Sequence, residues 1–98
     1  MKKNREPDDE RVKALCEALL ALETAQETRL FLDDICTPAE IEALADRWQV
    51  AGLLYKKKPY RQISEETGVS LATVTRVARC VFTEGSGYTR IIERLGKT

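Results

Sequence analysis

Apolar residues recur at steps of three and four along almost the whole chain. That spacing suits one face of an α-helix and not the alternation of a strand. Val12, Leu15, Cys16, Leu19 and Leu22 make one such stripe, and Leu30, Phe31 and Ile35 make the next. Glycine and proline, the residues that interrupt helices, number five and three among 98. The sequence therefore predicts a chain that is nearly all helix, folded as a single domain over residues 1–98.

Cap residues place the helix starts. Thr24 followed by Glu27 has the T-x-x-E spacing in which each side chain satisfies the other residue's free backbone N–H. Asp33 and Asp34 oppose the helix dipole at a C-terminus and predict that this helix stops there. Thr37-Pro38-Ala39-Glu40 repeats the box with proline at the first helical position, where its missing N–H costs nothing. The helix begun there runs to about Tyr55, with Ile41, Leu44, Trp48, Ala51 and Tyr55 on one face and Val50, Leu53 and Leu54 on another. A helix apolar on two faces is expected to be central, with Trp48 in the core. Lys56-Lys57-Lys58-Pro59 then breaks it, either as a solvated linker or as a grip on phosphates.

The formal net charge of zero hides an asymmetry. Residues 1–46 carry 12 acids and 6 bases, whereas residues 47–98 carry 10 bases and 4 acids. The second half is suited to an anionic partner, and an attraction between the two halves would give the same pattern. No apolar run approaches the roughly 18 residues that span a bilayer, and Met1-Lys2-Lys3-Asn4-Arg5 leads into acids rather than an export signal. A cytoplasmic protein with no membrane partner is expected. Cys16, Cys36 and Cys80 form no CxxC pair and have no histidine beside them. They are expected to be reduced, mostly buried thiols, and no metal site is predicted. Without histidine, proton transfer near neutral pH would need strongly shifted carboxylates or lysines, so the sequence argues against an enzyme.

The stretch from Tyr60 to Arg79 has the pattern of a helix-turn-helix, spanning about residues 60–80. Ile63 faces inward, small Ser64 lies where two helices cross, and Gly68 supplies a left-handed turn. Val69 tucks the turn into the core, Ser70 caps the second helix, and Val74 and Val77 face inward. Leu71, Ala72, Thr73, Thr75 and Arg76 are left outward. Short side chains let a helix approach base edges, and alanine and threonine methyls can contact thymine methyls. Arg61, Lys56, Lys57, Lys58, Arg76 and Arg79 surround that surface with positive charge, seven bases against two acids from Arg47 to Cys80. Leu71, Ala72, Thr73 and Thr75 would read bases, with Ser70 and Arg61 alongside, while the lysines and Arg79 hold phosphates. Double-stranded DNA is the partner these residues suit.

The segment from Thr37-Pro38 through Ala72-Thr73-Val74-Thr75-Arg76 resembles the tryptophan repressor family, and residues 10–95 resemble its YerC/YecD-type branch. The resemblance implies six helices forming an intertwined homodimer. Its reader helices, covering 71–80, would then enter successive major grooves of a palindromic operator about 34 Å apart. It implies a transcriptional regulator, most simply a repressor. Arg47 and Arg76 match the arginines that flank the corepressor in the tryptophan repressor, and Thr37 matches a pocket threonine. Val77, however, replaces a glycine beside the ligand, and Cys80 replaces the serine that binds its amino group. Both changes fill or dry the pocket and argue against tryptophan. No cofactor is predicted, and a different small-molecule corepressor stays open. Otherwise Arg47 and Arg76 would make ion pairs. Ser64 stands where the tryptophan repressor has a lysine and is counted among the DNA-facing residues.

One other class competes: a helix-turn-helix fold without specific DNA binding, docking on an acidic protein. The methyl-rich outward face speaks against it, since protein hot spots favour Trp, Tyr and Arg. Tyr88, Ile91, Ile92 and Leu95 form a last apolar stripe after Glu84-Gly85-Ser86-Gly87. Residues 1–8 and the last three are expected to fray.

Overall fold

The computed structural model describes residues 9–96, which form six helices in two compact units dividing between residues 36 and 37. The expected fraying of residues 1–8, 97 and 98 lies outside the described residues, and Gly96 closes the last helix.

The first unit holds α1 (Asp9–Leu20) and α2 (Ala25–Ile35). Thr24 caps α2, its Oγ1 accepting the Glu27 N–H at 3.0 Å. The return half of the box falls one residue early: Glu27 Oε1 accepts from the N–H of Glu23 at 3.0 Å, not from that of Thr24. Thr24 is already closing the first turn, its carbonyl accepting from Thr28 Oγ1 at 2.8 Å. The helix passes the two aspartates by one residue, and Asp33 is neutralised by Arg29 one turn back at 2.9 Å. Neither helix buries a residue, and Val12, Leu15, Leu19, Leu30 and Ile35 all stay exposed.

The second unit contains α3 (Pro38–Tyr55), α4 (Tyr60–Thr67), α5 (Leu71–Val81) and α6 (Gly87–Gly96). The box at the start of α3 is complete: Thr37 Oγ1 accepts from Glu40 N at 3.1 Å and Glu40 Oε1 from Thr37 N at 2.8 Å. At the centre lies α5, packed against α3, α4 and α6. Val50, Ala51 and Leu54 of α3, Ile63 of α4, Val69 of the turn, and Val74, Val77, Ala78 and Val81 of α5 make the core. Fully burying Leu54, Ile63, Val50 and Val74 contributes roughly 1.5–3 kcal/mol each. From α6, Tyr88 and Ile92 pack against this core, whereas Ile91 and Leu95 remain exposed. Two further bonds fasten α6: Thr89 Oγ1 donates to the Val81 carbonyl, and Tyr55 Oη donates to Glu93 Oε2, each at 2.9 Å.

Two expectations need correction. The core draws on the last half of α3, and its first three turns bury nothing. Leu44 and Trp48 are therefore exposed, as is Tyr55 at the end of the helix, and Trp48, 41% exposed, stacks on Tyr88 with ring centroids 6.4 Å apart instead of entering the core. The thiols are free, but Cys16 and Cys80 are exposed and Cys36 is only half-buried.

Candidate nucleic-acid interface

The turn between α4 and α5 is built from local bonds. Gly68 has φ +78°, and its N–H donates to the Ser64 carbonyl at 2.9 Å, ending α4. A Cβ there would meet nothing within 4 Å, so the backbone angle and not crowding demands glycine. For a residue with a Cβ that conformation costs roughly 1–2 kcal/mol. Thr67 Oγ1 donates to the Ile63 carbonyl and accepts from Val69 N, at 2.7 and 3.1 Å. Ser64 Oγ donates to the Val69 carbonyl at 2.7 Å, stitching α4 to the far side of the turn. Ser70 then caps α5 by accepting from Thr73 N at 3.2 Å. Val69, Val74 and Val77 are buried, which fixes the outward face of α5.

Leu71, Ala72, Arg76 and Arg79 are exposed on that face, and Thr73 and Thr75 are half-buried. Leu71, Ala72, Thr75, Arg76 and Arg79 together line one groove of about 410 Å³. No acid lines it. Arg61 is exposed on α4. Ser64 is half-buried and its hydroxyl is occupied by the turn, so it holds the motif together rather than joining this groove.

The three lysines after α3 are not equivalent. Lys56 is the cap residue and is exposed, whereas Lys58 is half-buried. Lys57 adopts φ +68°, donates its N–H to the Leu54 carbonyl at 2.8 Å, and sets its ammonium 4.9 Å from the centroid of Phe82. Phe82 belongs to none of the sequence motifs. Only its position directly after α5 marks it.

A family model described as Trp repressor protein matches residues 10–96. The chain belongs to the Trp repressor family. It is 38% identical over 84 residues to the uncharacterised protein YerC of Bacillus subtilis (strain 168), covering 86% of this chain and 81% of YerC. Among solved structures, a TrpR-like protein from Eubacterium eligens is 40% identical with TM-score 0.83, covering 89% of this chain and 90% of that one. A candidate Trp repressor from Staphylococcus aureus is 37% identical with TM-score 0.82, covering 88% and 86%. The fold is a regulatory DNA-binding one and not that of an enzyme family.

Within this Trp repressor-family chain, the three residues matched to a corepressor pocket lie at the N-cap of α3, on α3 and on α5. Thr37 spends its hydroxyl capping α3, Arg47 is exposed on α3, and Arg76 lines the groove on α5, which neither of the others reaches. Neither Arg47 nor Arg76 pairs with an acid of its own unit among the described residues; the alternative of ion pairs with acids of the first half concerns the other unit. Val77 is buried in the core, 3% exposed, with its side chain packed among the other core residues. Cys80 instead lines a second, largely apolar groove of about 820 Å³ with Trp48, Tyr88 and Ile91, and Arg79 borders both grooves. Among the described residues no cluster of metal-ligating side chains forms, and no helix is long and apolar enough to cross a membrane.

Proposed function

We propose that this Trp repressor-family chain is a cytoplasmic, sequence-specific regulator that represses transcription as a homodimer on a palindromic operator. Its two units would work as one DNA-binding domain, with α5 in the major groove. The observation that carries this reading is the groove on α5: short and methyl-bearing side chains at its centre, arginines beside them, and no acid lining it. Leu71, Ala72, Thr73 and Thr75 would meet base edges, and Arg61, Arg79 and the lysines after α3 the phosphates. Dimerisation is supported by large apolar side chains left exposed: Leu44, Trp48 and Ile91 in one unit, and Val12, Leu15, Leu19 and Leu30 in the other. A corepressor other than tryptophan, held near Arg47 and Arg76, is part of the proposal only as a ligand to be screened.

The test is selection of bound DNA from a random duplex pool at about 150 mM salt, near physiological ionic strength, with the oligomeric state read by light scattering. Enrichment of a two-fold symmetric site by a dimer is expected. Binding without enrichment, fading as salt rises, would reduce the interaction to unspecific charge attraction.

A further inference from the structure

The two threonines on the outward face of α5 are differently bonded. Thr73 Oγ1 accepts the proton of Ser70 Oγ at 3.0 Å and keeps its own proton to donate. Thr75 Oγ1 donates to the Leu71 carbonyl one turn back, at 2.9 Å. A hydroxyl has a single proton, so Thr75 has none left for guanine O6 and N7, adenine N7 or thymine O4, the acceptors of the major groove. The bond also fixes its rotamer, leaving the γ-methyl on Cβ directed elsewhere than the Leu71 carbonyl. Thr75 shares its groove with Leu71, Ala72, Arg76 and Arg79.

We propose that Thr75 is a specificity-determining residue that reads DNA through its methyl group, forming with Leu71 and Ala72 an apolar seat for the C5-methyl of a thymine in each half-site. The inference rests on the reading that α5 enters the major groove. It names the base that the groove prefers, and it makes Thr75 the counterpart of Thr73: one contributes a methyl, the other a donor. Thymine is distinguished from every other base at this edge by its methyl, so an apolar seat suffices to select it.

The test uses the full chain and the duplex enriched by selection, with each thymine in turn replaced by deoxyuridine, which lacks only the methyl. At one position per half-site the wild type should bind roughly fourfold more weakly, the worth of one buried methyl-sized group. Thr75→Val keeps the methyl and should retain both affinity and uracil sensitivity. Thr75→Ser keeps the hydroxyl and should lose about fourfold on the thymine duplex and be indifferent to uracil. Circular dichroism checks that both variants fold. Uracil sensitivity that persists in Thr75→Ser, or a Thr75→Val that loses affinity while Thr75→Ser keeps it, would overturn the proposal and leave specific DNA binding standing. The same holds if no thymine matters on an enriched site. Absence of any enriched site would instead overturn the DNA-binding reading, and this inference with it.

Discussion

The ammonium of Lys57 rests 4.9 Å from the centre of the Phe82 ring, tying the turn after α3 to the end of α5. Such a contact at an exposed site is worth about 0.5–1 kcal/mol. The same lysine holds φ +68°, a conformation that costs a residue with a Cβ roughly 1–2 kcal/mol. The two effects oppose each other and can be separated. Lys57→Ala loses the ring contact and keeps the backbone cost, so it should lower stability by about 0.5–1 kcal/mol. Lys57→Gly loses the contact but relieves the backbone, and should come out more stable than the alanine variant by about 1 kcal/mol. Urea midpoints at one fixed protein concentration decide it, and identical midpoints for the two variants would refute the account.

The lysines should also differ in how they feel salt. Each phosphate neutralised contributes about 0.9 to the slope of log affinity against log salt. Lys56 is exposed and Lys57 is held on a ring. Lys56→Ala should therefore lower the slope by close to that amount, and Lys57→Ala by less. Titrations of the enriched duplex at several salt concentrations give both slopes. An undiminished slope in Lys56→Ala would remove it from the phosphate contacts.

The helix-turn-helix was legible because its requirements are local. Ile63, Gly68, Val69, Ser70, Val74 and Val77 each do in the structure what their spacing asked, and the Thr37–Glu40 box closes on both sides. What escaped depends on contacts between distant parts of the chain. Trp48 reads as core because its stripe is apolar, but the pattern does not say which stripe will be covered, and Tyr88 is its one ring partner among the described residues. Cys80 was misplaced inward for the same reason. The bond from Ser64 Oγ to the Val69 carbonyl, which closes the turn, is not a thing the spacing of small residues announces. The bond from Thr75 to Leu71 is local, yet a threonine in a helix has more than one rotamer open to it, so spacing could not foretell where its proton goes.

Gly68 offers a graded test of the turn. Space is open around it, so the cost of a substitution is the cost of φ +78° alone. Asparagine tolerates that region better than other residues with a side chain, and a β-branched residue tolerates it worst. Gly68→Asn should remain folded and bind DNA, whereas Gly68→Val should lose at least 2 kcal/mol, roughly the upper cost of a left-handed residue, and most of its binding. Melting curves rank the two, and a valine variant as stable as the asparagine one would contradict the assignment.

Ser64 should separate structure from recognition. Removing its half-buried hydroxyl leaves the Val69 carbonyl without that donor, at a cost of about 1 kcal/mol. Ser64→Ala should therefore melt at lower temperature while the salt dependence of its DNA binding stays as in the wild type. A changed slope with unchanged melting would return Ser64 to the interface.

Tyr55 and Glu93 give the chain a pH dependence at the alkaline end. The hydrogen bond from Tyr55 Oη to Glu93 Oε2 at 2.9 Å, then desolvation, then the negative charge of Glu93 all hold the phenol above its ordinary value of 10.0. A raised value in the folded chain means that folding favours the protonated phenol. The stabilisation is thus complete below the unfolded value and is lost as pH rises through the folded one. Tyr55→Phe should be less stable than wild type near neutral pH, and the gap should close at pH above 10 as the wild type loses its bond. Ultraviolet titration of tyrosinate provides the direct check. Tyr55 should titrate late, vanish from the curve in Tyr55→Phe, and move back toward 10.0 in Glu93→Gln, where the charge is gone but an acceptor remains. A curve left unchanged by Tyr55→Phe in its late portion would show that this bond does not persist in solution.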